Sequence, residues 1–321
     1  MWCKTRRISE VSGVSRSRIA DHYERWPFPG EDFLSKEGLV LLRHLKGWLK
    51  EGRQGNQKPP RVADIGCGTG NTLIALARYF QDAHFLGFDL SKTAIDIASA
   101  HASEKGLKNV TFRQADITKG LSKFGSFSIV LSLGVLHHME RLASAFRKLV
   151  QLTKEGGYLV LWLYGSHGRM KHQLNQFLIE LLARPSERLL VAQTFLKDLG
   201  PRFAIDTGFY TPKGSGEEGR QWLLRRPHWL ADQMIPAFEK SVTMKEILGL
   251  FQENHLKFVN WLGVPTHLSS YTSSRLLIRC FEKLPLQEQL MAIDYLIKPE
   301  YYFVVGRGRM PNPTRGKTGE D

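Results

Sequence analysis

Only three cysteines occur in 321 residues, Cys3, Cys67 and Cys280. They are odd in number and far apart, which excludes a disulfide framework and offers no zinc-ligand spacing. Long apolar runs are missing as well. The longest, from Phe127 to Leu136, is about ten residues and broken by serine and glycine, against the roughly twenty that span a bilayer. Met1-Trp2-Cys3-Lys4-Thr5-Arg6-Arg7 is basic but leads into no apolar signal core, so the expected location is cytoplasmic with no membrane partner. Acidic residues are outnumbered 31 to 45, for a formal charge of +14. That excess is spread along the chain, +5 over 1–60, +4 over 61–165, +3 over 166–240 and +2 over 241–321, so no basic stripe marks a nucleic-acid surface. A nucleic-acid or other acidic partner stays open only through charges that folding gathers on one face. The composition, 42% hydrophobic and 24% charged, is that of a folded globular protein.

One further absence separates two cofactor classes. Asp64-Ile65-Gly66-Cys67-Gly68-Thr69-Gly70 follows a strand-like Val62-Ala63 and precedes a helix-like Thr72 to Ala77. Glycines on alternate positions allow a tight strand-to-helix turn and a close approach of backbone to ligand. A dinucleotide fingerprint, G-x-G-x-x-G, would need a third glycine where Asn71 stands. The chain reads acid-x-G-x-G-x-G instead.

Two more acids follow at strand ends. Asp89 closes the strand-like run 84–88, about twenty residues after the loop, where a carboxylate can accept from ribose hydroxyls. Charge-assisted bonds of this kind are worth roughly 1.5–3 kcal/mol each, so losing Asp89 is expected to weaken cofactor binding at least tenfold. Asp116-Ile117 ends the next run, 110–115.

From Arg61 to Tyr164 strands and helices alternate at the rhythm of βαβ units. Strands are expected near 61–66, 84–89, 110–115, 127–133 and 157–164. Helices are expected near 70–80, 92–105 (capped by Ser91) and 141–152. The rhythm breaks after Tyr164. Gln173 to Leu182 has helical periodicity, then 200–227 is punctuated by Gly and Pro with no clear strand. It resumes with a helix near 243–254, opened by a Thr243/Glu246 capping box, a strand near 257–263, helix over 270–297 and a closing strand over 301–305. The fold class is therefore α/β, a doubly wound, seven-stranded, mostly parallel, Rossmann-like sheet with helical insertions after the fifth strand and between the last two. The expected divisions are an N-terminal helical segment (1–60), a cofactor-binding core (61–165), a helical insertion or lid (166–240), the rest of the core (241–306) with a second insertion near 264–298, and a disordered tail (307–321). The insertions serve as lids and acceptor-pocket walls, or as a dimer contact; the oligomeric state is left open.

Asp64 and the glycine loop resemble motif I of the class I methyltransferases, which use S-adenosyl-L-methionine. The resemblance implies that Gly66, Cys67 and Gly68 cradle the amino-acid tail and ribose, with Asp64 near the cationic amino group. It implies that Asp89 and Leu90 border the ribose. The adenine lies by Asp116, which accepts from the exocyclic amine, and by the Ile117 amide. Ser132-Leu133-Gly134-Val135-Leu136-His137-His138-Met139 is similar to motif IV, placing Ser132 and Leu133 at the cofactor. There His137 or His138 borders the methyl-transfer site or only packs against it. Adjacent histidines point apart and no third ligand has fitting spacing, so no metal is expected.

Tyr23-Glu24-Arg25-Trp26-Pro27-Phe28-Pro29 and Leu163-Tyr164-Gly165-Ser166-His167-Gly168-Arg169 resemble strings flanking one methyltransferase module that is sometimes found beside tetratricopeptide repeats; no repeat array occurs here. Tyr23, Trp26, Phe28 and Tyr164 are candidates for an aromatic wall over the sulfonium. The implied activity is methyl transfer by in-line displacement to a small-molecule acceptor, with RNA or protein as the alternative acceptor. His137, His138, His167 or Tyr23 is available as base if the acceptor must lose a proton. An NAD-dependent oxidoreductase is disfavoured by Asn71 and by the acid at the third strand, and an aminopropyltransferase by the absence of acids at the fourth. A non-catalytic cofactor-binding protein is the remaining rival. Gly13 to Ile19 resembles the second half of a helix-turn-helix with too little chain before it, and reads better as part of a basic amphipathic helix.

Overall fold

The computed structural model describes residues 16–29, 36–51, 59–199 and 217–308. Two helices, α1 (Arg16–Arg25) and α2 (Lys36–Glu51), precede the sheet. The first half of the core then alternates β1 (Arg61–Ile65), α3 (Asn71–Tyr79), β2 (His84–Asp89), α4 (Lys92–Glu104) and β3 (Val110–Gln114). It continues through β4 (Phe127–Leu133), α5 (Leu142–Leu152) and β5 (Thr153–Tyr164). The first insertion is α6 (Met170–Leu182), α7 (Arg188–Asp198), α8 (Glu217–Leu224) and α9 (Pro227–Met234). The chain closes with α10 (Met244–Glu253), β6 (Lys257–Trp261), α11 (Arg275–Glu282), α12 (Leu286–Ile297) and β7 (Tyr301–Arg307).

The sheet order is β3-β2-β1-β4-β5-β7-β6. β7 runs antiparallel to both of its neighbours, and the pairings among β1 to β5 are all parallel. Side chains alternate across strands, so successive residues feed different layers. Val62, Phe85, Ile129 and Val160 join one buried cluster with α2, α3 and the insertion helices. Ala63, Phe88, Val130 and Leu161 join another with α5, α10 and α12. Burial on both faces explains why the central strands are mostly apolar. The order reverses between β1 and β4, so their carboxyl ends open a crevice at the switch point.

Local signals explain the helix starts. Ser91 Oγ accepts from the Ala94 amide, and Thr243 and Glu246 form a reciprocal capping box. Several boundaries differ from the sequence expectation. The stretch 270–297, expected to be helical, divides into α11 and α12 because Pro285 cannot continue α11 and instead caps α12. β5 starts four residues early, across a register irregularity against β4. β7 runs on to Arg307, whose guanidinium reaches Gly156 O and Glu51, so the tail begins later than 307. Within the first insertion only α6 had a clear periodicity. α7 spreads its apolar residues around the helix, and α9 is announced by Pro227 in its first turn. Residues 1–15, with the first three residues of the helix-turn-helix-like string, and the tail 309–321 lie outside the described residues.

Candidate active site

A cavity of about 770 Å³ opens at the switch point. Its first half is built by the turn after β1. Gly66, Gly68 and Gly70 have φ of +78°, +53° and +81°, values that favour glycine. A Cβ on Gly66 would collide with the Val135 side chain, and one on Gly68 with the Phe28 carbonyl oxygen. That same oxygen accepts from the Thr69 amide at 3.0 Å, so the segment before the sheet is fastened onto the glycine loop. Glu24 fastens it a second time, accepting from Ser91 Oγ at 2.8 Å at the start of α4.

Asp89 ties the loop to β2. Its Oδ2 accepts from the Gly68 amide at 2.8 Å and its Oδ1 from the Ser91 amide at 2.9 Å. Each oxygen keeps a lone pair for a ligand hydroxyl. Burial raises the Asp89 carboxyl above its usual range, against the pull of these amides. Asp64 is 3% exposed, and burial together with the charge of Asp89 pushes it up to about 7. Its Oδ1 has no hydrogen-bond partner among the described residues, and neither has Oδ1 or Nδ2 of Asn71, also on the wall. Buried polar groups without partners are costly. A zwitterionic amino-acid end fits them, its ammonium on Asp64 and its carboxylate on the Asn71 amide. Asp116 caps a short 3₁₀ turn, Ile117–Lys119, accepting from the Thr118 amide at 2.8 Å. Cys67 is a buried free thiol whose ionisation burial opposes, so it is a wall residue and no nucleophile.

The second half of the cavity is roofed by the N-terminal segment and α9. Tyr23, Phe28, Pro29 and Leu39 face Trp229, Asp232 and Gln233, with His138, Leu133, Trp162 and Tyr164 below. Trp229 Nε1 donates to Pro29 O at 3.0 Å, and its ring packs 4.5 Å from Phe28. Tyr23 Oη donates to Asp232 Oδ1 at 3.0 Å, and Gln233 Nε2 donates to Asp232 Oδ2 at 2.7 Å and to Tyr164 Oη at 2.9 Å. Beneath them Arg169 lies 3.4 Å from the Tyr164 ring centre and pairs through two nitrogens with Glu239, at 3.0 and 2.9 Å. Despite burial, the Arg169 guanidinium holds the Glu239 carboxyl below its usual range.

The adjacent histidines part in the 3₁₀ turn Leu136–His138. His137 is fully buried, stacked 3.8 Å from the Tyr164 ring, with Nδ1 accepting from the Tyr164 amide at 3.3 Å. It is off the cavity wall, and burial holds its imidazole well below the usual range, so His137 packs and does not reach the site. His138 is on the wall. Its Nδ1 lies 2.8 Å from Phe238 O, a carbonyl that can only accept, so the ring proton sits on Nδ1 and Nε2 carries the lone pair. Nε2 is 4.0 Å from Asp232 Oδ1.

Of the residues singled out from sequence, Asp64, Gly66, Cys67, Gly68, Asp89, Leu90, Asp116, Ile117, Leu133, Tyr23, Phe28, Tyr164 and His138 share this cavity. Four others do not, among them His167, whose Nδ1 lies 3.3 Å from Asp294 Oδ2. Ser132 is one residue out of phase with Leu133 and is buried inside β4. Trp26 is off the wall, beneath the Arg25 guanidinium at 5.2 Å, and His137 is turned away as described. The second insertion also contributes nothing to the wall. Asp294 of α12 instead accepts from Tyr302 Oη at 2.6 Å and from the Met244 amide at 3.3 Å, which docks it against β7 and α10. Asn71, Trp229, Asp232 and Gln233 were not anticipated. For the last two the signal was an acid and an amide inside the apolar run 229–235.

Residues 57–182 match the family model of a methyltransferase domain. That stretch holds the glycine loop, the three strand-end acids and the histidine pair. The fold of the chain is shared with the solved structure of PKMT2 from Rickettsia typhi in complex with AdoHcy, at a TM-score of 0.65 and 16% identity over 89% of this chain and 55% of that one. The domain is also similar to the uncharacterized methyltransferase YcgJ of Bacillus subtilis, 34% identical over 32% of this chain and 39% of the relative. A third similarity is to phosphoethanolamine N-methyltransferase 3 of Arabidopsis thaliana, 32% identical over 42% of this chain and 26% of the relative. The chain thus spans less than half the length of these curated relatives. Among the described residues, no group of three His, Cys, Asp or Glu side chains is placed to hold a metal ion, and no helix is long and apolar enough to cross a membrane.

Proposed function

We propose that the chain is an S-adenosyl-L-methionine-dependent methyltransferase acting on a small-molecule acceptor. The observation that carries this reading is the continuity of the cavity, from the acids at the ends of β1, β2 and β3 to the roofed aromatic end around Tyr23 and Trp229. Donor and acceptor can therefore be held in one continuous space. A roof from outside the sheet suits a small acceptor better than a polymer. The names of relatives agree with the reading without choosing the acceptor atom, since they include an N-methyltransferase and a ubiquinone biosynthesis O-methyltransferase.

When bound, the cofactor supplies a sulfonium methyl open to in-line displacement. The chain's own task is alignment and exclusion of water. Asp64 and Asn71 take the amino-acid end, Asp89 the ribose, and Asp116 with Ile117 the adenine. Tyr23, Phe28 and Tyr164 present aromatic faces that favour positive charge. His138 Nε2 accepts the proton that a hydroxyl or amine must lose, and Phe238 O, holding the other ring nitrogen, keeps it in that tautomer.

Calorimetric titration with AdoHcy, beside NAD, tests the cofactor. Micromolar AdoHcy binding that falls at least tenfold in Asp89→Ala is expected, and a preference for NAD would sink the reading. With an acceptor in hand, His138→Gln is expected to lower turnover about 10²–10⁴-fold while leaving the AdoHcy Kd intact.

A further inference from the structure

Asp232 is an acid in the aromatic end of the cavity without a fixed counter-charge among the described residues. It is 5% exposed, and its two oxygens accept from neutral donors, Tyr23 Oη and Gln233 Nε2. Arg169, the guanidinium of the adjoining network, is committed to Glu239. Among the described residues no lysine or arginine nitrogen lies within 4.0 Å of Asp232; His138 Nε2, at 4.0 Å, carries a lone pair and becomes a cation only on taking a proton. Burial lowers the imidazole of His22, whose ring centre is 5.1 Å from that of Tyr23, against the pull of Asp232. A buried lone carboxylate is costly unless a cation joins it. The same cavity is lined by Tyr23, Phe28, Trp162, Tyr164 and Trp229, whose ring faces attract cations.

We infer that the acceptor is a primary or secondary amine that enters as its ammonium ion, with Asp232 as its counter-charge. This rests on the methyl-transfer reading of the same cavity. The ammonium gives one proton to His138 Nε2. Its freed lone pair then forms the C–N bond as the C–S bond breaks, the sulfur keeping that electron pair as a neutral thioether. Positive charge thus passes from sulfur to nitrogen, and the proton on His138 leaves to solvent when the roof opens. Asp232 faces a cation at both ends of this reaction. An alcohol would leave as a neutral ether, with the carboxylate uncompensated.

The test uses the full chain saturated with AdoHcy, titrated with benzylammonium chloride and with benzyl alcohol while tryptophan fluorescence is followed. The ammonium is expected to bind at least tenfold tighter than the alcohol. Asp232→Asn should erase that preference by weakening the ammonium alone, and Asp232→Glu should keep it. Equal affinities in the parent chain, or equal losses of both probes in Asp232→Asn, would overturn the inference. A turnover panel of amines and matched alcohols separates the two levels. AdoHcy released with alcohols alone refutes the amine and leaves methyl transfer standing, whereas a parent chain that fails to bind AdoHcy takes both down.

Discussion

Asp64 offers a direct measure of whether the cavity was built for a cationic amino group. Its carboxyl sits at about 7, raised by burial and by Asp89, so near neutral pH the empty site holds a proton that an incoming ammonium must displace. With that value, about 3% of the group is ionised at pH 5.5 and about 75% at pH 7.5. AdoHcy affinity should therefore rise about 25-fold over this window, about 1.9 kcal/mol, then level off. The window ends below roughly pH 7.7–8.0, where an α-amino group itself begins to lose charge. Calorimetry at pH 6 in buffers of different ionisation enthalpy should count close to one proton released per AdoHcy bound, and none for Asp64→Asn. The same group sets a stability trend of defined sign. Its native value lies above the unfolded one, so the native state holds the extra proton between about pH 4 and 7, and stability falls as pH rises through that range. The empty Asp64→Asn protein should melt higher than the parent at pH 8, with the gap closing by pH 4. A pH-independent affinity with no proton release would refute the pairing of Asp64 with the amino group.

Two further outcomes test how the site is held together. Gly68→Ala adds about 1–2 kcal/mol of left-handed backbone cost and drives a methyl into the Phe28 carbonyl, so AdoHcy affinity should fall at least tenfold. Gly106→Ala, at φ +65° with nothing within 4 Å of the added carbon, carries the dihedral cost alone and should leave affinity unchanged by calorimetry. Arg169→Met leaves Glu239 buried without its guanidinium, which should cost about 3–5 kcal/mol in urea unfolding; adding Glu239→Gln should recover at least half, and equal stability of the single and double variants would refute the buried pair as the reason.

What could be read before folding and what could not divide along sequence distance. Asp64, Asp89 and Asp116 were legible because each stands at the end of its own apolar strand, and three neighbouring parallel strands bring those ends together by topology alone. The histidine pair was half legible. Its position after β4 is local information, but which ring faces the cavity depends on a three-residue 3₁₀ turn and on Phe238, a hundred residues away. Asp232 was invisible in the same sense. Its role exists only because α9 lands on Tyr23, 209 residues earlier in the chain. What the sequence did carry was a conflict, an acid and an amide at buried positions of an apolar helix, where neither propensity nor burial favours them. Conflicts of this kind concentrate where a protein spends stability on binding or chemistry. The strand-end acids define where a cofactor would lie. On the proposed reading, the out-of-place Asp232 on a distant insertion is where substitution should change the choice of substrate before it changes the hold on the cofactor.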